Sequence, residues 1–84
     1  MNWNVTIAKA AQKELKKIQW QDAKRLAEAI SFMSADPFSG DIQKMPEKGV
    51  WRRRVGSYRI FYKLFSDSHL IYIFEITRRT SKTY

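Results

Sequence analysis

The side chains with the most chemical capacity in this chain are basic, and they gather in its second half. Arg52, Arg53 and Arg54 stand in a row, Arg59 and Lys63 follow, and the C-terminal stretch ITRRTSKTY adds Arg78, Arg79, Lys82 and Tyr84. A guanidinium grips two oxygens of one phosphate at once and keeps its proton at any ordinary pH. The chemistry on offer is therefore anion binding and charge stabilisation, with no comfortable proton acceptor among the arginines. Other chemistries lack their parts. The chain has no cysteine, its one histidine, His69, falls in a predicted turn, and its carboxylates are scattered. Neither a disulfide framework nor a zinc ligand set can be assembled from these residues, so no metal or cofactor is expected. No nucleophile motif and no phosphate-cradling glycine loop occurs.

The charge distribution carries the same message. The net charge is +8 over 84 residues; residues 1–43 hold six Lys/Arg against five Asp/Glu, whereas residues 44–84 hold ten against three. Positive charge loaded onto one half of a small domain points to a polyanion-binding face. An acidic protein would answer to the same field, and charge kept for solubility is the plainer alternative.

These side chains need a scaffold, and the chain is long enough for one domain, residues 1–84. Its N-terminus has no apolar run of signal-peptide length, and no segment approaches a membrane span, so a soluble cytoplasmic protein is expected. Residues 2–7 alternate, with Trp3, Val5 and Ile7 apolar, which predicts a short strand. Ala11, Leu15 and Ile18 recur at helical spacing with lysines between them, although Ala8 and Lys9 make a poor N-cap. A second helix over 21–35 carries the stripe Ala23, Leu26, Ala27, Ile30 and Met33, and Asp36-Pro37 ends it. So short a joint predicts an antiparallel helical hairpin. Phe38 to Gly49 is expected to be loop. Residues 50–55, 58–65 and 69–76 return to a period of two and predict a three-strand antiparallel meander with both helices on one face, an α+β pattern.

The turns set a register. Gly56 at the first position of a two-residue loop suits a type II′ turn, which pairs Val55 with Tyr58, Arg54 with Arg59 and Arg52 with Phe61. Like charges facing each other cost stability, so a sheet that opposes Arg54 to Arg59 has a reason beyond folding. With a three-residue loop at Ser66-Asp67-Ser68, Arg59 would meet Glu75, a cross-strand ion pair being its plainer role. Tyr72 and Phe74 would then join the helix side, and Ile71 and Ile73 the open side with Arg52, Arg54, Arg59, Phe61 and Lys63. A loop one residue different in effective length would reverse that last assignment. Arg53 points to the helix side on this register, where a snorkelling edge position is expected.

LKKI early in the chain, VWRRRVGSYRIFYKL from Val50 and IYIFEITRRTSKTY to the end resemble the RelE/ParE toxins of type II toxin–antitoxin systems over essentially the whole chain. The most specific piece is the W-R-x-R-V-G-x-Y-R-x-x-Y pattern from Trp51 to Tyr62. The resemblance implies an mRNA interferase that acts without metal in the ribosomal A site. There a ribose 2′-hydroxyl attacks the adjacent phosphate, leaving a cyclic phosphate and a free 5′-hydroxyl. Carried over by position, it implies catalytic roles for Arg52, Arg54, Arg59, Arg79 and Tyr84. Phe61, Lys63, Arg78 and Lys82 join them as RNA-binding residues. It also implies a cognate acidic antitoxin, expected to lie over the basic sheet face. The chain departs from the pattern in carrying arginines at 52 and 54, where RelE toxins have lysines. Arg78 and Arg79 both fit the tail arginine. A ParE-like inhibitor of DNA gyrase and a non-catalytic RNA- or protein-binding module are the alternatives on the same scaffold.

Overall fold

The computed structural model describes residues 2–78; Arg79, Lys82 and Tyr84 lie outside the described residues. Strand β1 (Asn4–Ile7) leads into helices α1 (Lys9–Lys17) and α2 (Trp20–Ala35), followed by strands β2 (Asp41–Lys44), β3 (Val50–Val55), β4 (Tyr58–Phe65) and β5 (Leu70–Arg78). The strands form one sheet in the order β1-β5-β4-β3-β2. The α+β character is as expected, but the sheet is five-stranded and mixed, because β1 pairs with β5 in parallel.

β2 lies where the sequence predicts loop. It holds one apolar residue among four, Ile42, which is too few for a period of two to be visible. As an edge strand it pairs Asp41 with Arg54, Ile42 with Arg53 and Gln43 with Arg52.

Both helices pack on one side of the sheet, although Trp20 and Phe32 of α2 are exposed. Ala11, Leu26 and Met33 meet Ile60, Tyr62, Ile71, Ile73 and Ile76 in a single core. α1 ends and α2 begins beside Tyr58, whose hydroxyl donates to Asp22 at 3.2 Å. α2 ends at the start of β1, where Trp3 N–H donates to the Ser34 carbonyl at 2.7 Å and the Ser34 hydroxyl to the Trp3 carbonyl at 3.1 Å. The helices therefore run in opposite directions, as their short joint requires. Within α2 the inward small residue is Ala29, while Ala27 of the expected stripe is exposed. Asp36 closes the helix: its backbone N–H returns to Phe32, and its carboxylate accepts from Phe38 N–H at 3.0 Å.

The β3–β4 register is the one expected, with Arg54 opposite Arg59, Arg52 opposite Phe61 and Gly56 at φ +58°. The β4–β5 register is not. The connecting loop has four residues, Ser66 to His69, because His69 adopts the left-handed conformation at φ +53° and Phe65 pairs with Leu70. That one-residue difference turns Ile71 and Ile73 into the core, where both are fully buried. A β-bulge at Phe61/Tyr62 then shifts the pairing again, so Tyr62 meets Ile73 but Phe61 meets Glu75. Ile76 thereby stays on the helix side, and Phe74 joins Phe61 on the open one.

Candidate nucleic-acid interface

The W-R-x-R-V-G-x-Y-R-x-x-Y stretch divides between the two faces of the sheet. Trp51, Arg53, Tyr58, Ile60 and Tyr62 pack toward the helices, and Arg52, Arg54, Arg59 and Phe61 face outward. On the packed side, Trp51 meets Phe38 edge to face with ring centroids 5.3 Å apart. The Tyr62 hydroxyl donates to the Pro37 carbonyl at 2.8 Å. Burial pushes the Tyr62 hydroxyl up to about 12, with Arg53 opposing the shift. Burial also raises the Tyr58 hydroxyl, and its hydrogen bond to Asp22 adds to the effect. Both motif tyrosines thus hold the helical layer and its exit loop to the sheet.

Arg53 does the same in place of the snorkelling expected of it. It is only 9% exposed, and its Nη1 donates to the Ser39 carbonyl at 2.6 Å and to the Ser39 hydroxyl at 3.0 Å. Gly40, at φ +80°, leaves room for that guanidinium: a Cβ there would lie 2.5 Å from Arg53 Cζ. Ser39 and Gly40 lead directly into β2, so Arg53 fixes the strand that carries Asp41 to Arg54.

On the open face the basic groups come together. Arg54 is held by Asp41, Nε to Oδ2 at 3.8 Å, an exposed pair of small worth. Arg59 faces Arg54 on one side and Thr77 on the other. The Arg59–Glu75 ion pair, the plainer alternative, does not form, since Glu75 stands opposite Phe61, and no carboxylate among the described residues lies within ion-pair distance of Arg59. The Nε–H groups of Arg52 and Arg59 are buried and have no acceptor among the described residues. A buried donor without an acceptor is destabilising, and Arg53 on the packed side carries one as well.

Phe61 and Phe74 lie beside this row with ring centroids 6.4 Å apart, and Lys63 Nζ sits 5.7 Å from the Phe74 centroid. Phe74 and Asp41 are not legible in the sequence as site residues, the first because of the bulge and the second because β2 reads as loop. Arg78 is not on this face. It pairs with Tyr58, its guanidinium 5.9 Å from that ring, at the junction of the two helices.

The family model described as ParE toxin of type II toxin-antitoxin system, parDE, matches residues 5–82. The chain belongs to the RelE/ParE toxin superfamily. A Methanocaldococcus jannaschii protein carrying the name toxin RelE1 is 31% identical over 83 residues, spanning 94% of this chain and 92% of the relative. The archaeal RelE–RelB complex from Pyrococcus horikoshii OT3 contains a chain that superposes with a TM-score of 0.85 at 24% identity, covering 98% of this chain and 100% of that one. The RelB–RelE antitoxin–toxin complex from Methanococcus jannaschii gives 0.70 at 25% identity, with 86% and 87% covered. The chain is a RelE/ParE-family toxin of the type II class, and its helix-on-sheet arrangement is that of the RelE structures.

Proposed function

We propose that this toxin inhibits translation by cutting mRNA in the ribosomal A site, without metal, through attack of a 2′-hydroxyl on the adjacent phosphate. The observation that carries the reading is the opposition of Arg54 and Arg59 on an open sheet face, beside Arg52 and two outward aromatic rings. Phosphate seated between the two arginines screens their repulsion, and the rings offer flat faces to bases. Arg59 and Arg54 stabilise charge that develops on the phosphate as the P–O5′ bond breaks and the leaving oxygen takes a proton. Arg52 and Arg54 keep their own protons, so the attacking hydroxyl gives its proton to a group other than these two. Phe61 and Lys63 bind neighbouring nucleotides. Arg79, Lys82 and Tyr84 complete the site from the tail, with Tyr84 orienting the scissile nucleotide.

The partner on the same reading is an acidic antitoxin that covers this face; an antitoxin partner is supported by the RelE–RelB complexes from Pyrococcus horikoshii and Methanococcus jannaschii. Its apolar contacts fall on Phe61 and Phe74, because Ile71 and Ile73 are in the core.

Primer extension on mRNA after brief induction of the toxin tests the proposal. Cuts placed by codon support it. Intact mRNA with DNA-damage signalling would instead favour inhibition of gyrase, the activity of the ParE branch, and intact mRNA without that signal a binding module.

A further inference from the structure

Beside the arginine row the open face drops into a hollow of about 370 Å³, within the size range of small-ligand clefts, about 300–1,000 Å³. Phe61, Phe74, Lys63 and Glu75 of the sheet line it, and Glu47 and Lys48 of the β2–β3 loop overhang it. The β-bulge makes this composition. It sets Glu75 opposite Phe61, while Phe74, the extra residue of β5, reaches both Phe61 and Lys63. Two consecutive side chains thereby serve one hollow, which regular alternation would forbid.

Glu47 and Glu75 offset Lys48 and Lys63, so the hollow lacks the positive excess that phosphate needs, and neither carboxylate forms an ion pair among the described residues. On a face otherwise built for anions, a carboxylate has use for the part of RNA that presents N–H donors, the edge of a base. The two phenyl rings supply stacking surface, and Lys63 reinforces it electrostatically. We infer that this hollow is a base-reading subsite, stacking one nucleobase on Phe61 or Phe74 and hydrogen-bonding its edge to Glu75. The base that fits best is guanine, whose N1–H and N2–H lie side by side and satisfy both carboxylate oxygens. Uracil fits worst, because carbonyl oxygens flank its single N–H. The inference rests on the RNA-cleaving reading above and adds a specificity determinant to it.

The test is single-turnover cleavage on ribosomes programmed with A-site codons that differ by one base at a time, for wild type and Glu75→Gln. The amide of that variant offers one acceptor and one donor group, so it cannot match both guanine N–H groups. At one codon position the wild type should cut guanine faster than uracil by roughly 5- to 150-fold, the discrimination of a bidentate contact. Glu75→Gln should bring that ratio close to one without lowering the melting temperature. Equal wild-type rates on all codons, or a guanine preference that Glu75→Gln leaves intact, would overturn the inference while leaving the RNA-cleaving reading in place. A Glu75→Gln protein altered only in antitoxin affinity would assign the hollow to the antitoxin and overturn it equally. No cleavage of any codon would remove both.

Discussion

Replacing Arg59 with alanine separates a binding-face role from a packing role. In the sheet Arg59 has Arg54 on one side and Thr77 on the other, and Glu75 is displaced to Phe61 by the bulge. No ion pair among the described residues is lost, one like-charge opposition is relieved, and one buried unpaired Nε–H disappears. Against this stands the loss of a half-buried aliphatic stem. These terms are each of order 0.5–1 kcal/mol and opposite in sign, so the melting temperature should move by a few degrees at most. The effect on chemistry is of another size. Removing one preorganised donor from a developing anion slows the chemical step by roughly 10²–10³-fold, about 3–4 kcal/mol. Single-turnover cleavage of ribosome-bound mRNA measures it, with thermal unfolding on the same preparation. Arg59→Lys should recover part of the rate, since it restores the charge but not the two-pronged grip. A well-folded Arg59→Ala protein that cleaves at the wild-type rate would refute the assignment, and so would a large loss of stability with activity per folded molecule unchanged.

Three further outcomes follow from the packed side and the overall field. Gly40→Ala should destabilise the fold by on the order of 2 kcal/mol in denaturant titration, because the new Cβ meets the Arg53 guanidinium and the residue sits at positive φ. Tyr62→Phe should cost about 1–2 kcal/mol near neutral pH by leaving the Pro37 carbonyl without its donor. The Tyr62 hydroxyl titrates higher in the folded state, at about 12 against an ordinary 10.0, so its stabilisation is complete below the lower value. It is lost as pH rises through the upper one, and the stability gap between wild type and Tyr62→Phe should close over that window. Ribosome or RNA affinity should fall steeply with salt as phosphate contacts release counterions, and Arg59→Ala should flatten the slope by about one unit; a flat wild-type dependence would show that the basic half is not the contact surface.

Legibility from the sequence tracks how local the determining interactions are. The β3–β4 hairpin follows from Gly56, whose positive φ fixes the turn and so opposes Arg54 to Arg59. The second turn hinges on His69 at φ +53°, a conformation uncommon for any residue but glycine, so the sequence suggests a loop one residue shorter and a β5 one face over. The bulge then partly restores the expected faces, returning Ile76 to the core and leaving Phe74 out. No residue type near Phe61, Tyr62 or Phe74 announces this bulge. Arg53 looks like its neighbours in sequence, yet only a tertiary contact with the Ser39-Gly40 turn makes it structural. β2 exists because β3 offers it an edge, not because Asp41–Lys44 has strand character of its own. The outward set Arg52, Arg54, Arg59, Phe61 and Lys63 is legible because it rests on the hairpin alone.

On the proposed function, this basic sheet face cuts mRNA held in the ribosome. The most direct test is to incubate the purified toxin with ribosomes programmed with a defined codon in the A site and to map the fragment ends. A cut within that codon is expected, with a cyclic phosphate on the upstream fragment and a free 5′-hydroxyl on the downstream one; full-length mRNA under conditions where the toxin stays folded and ribosome-bound would rule the RNA-cleaving function out.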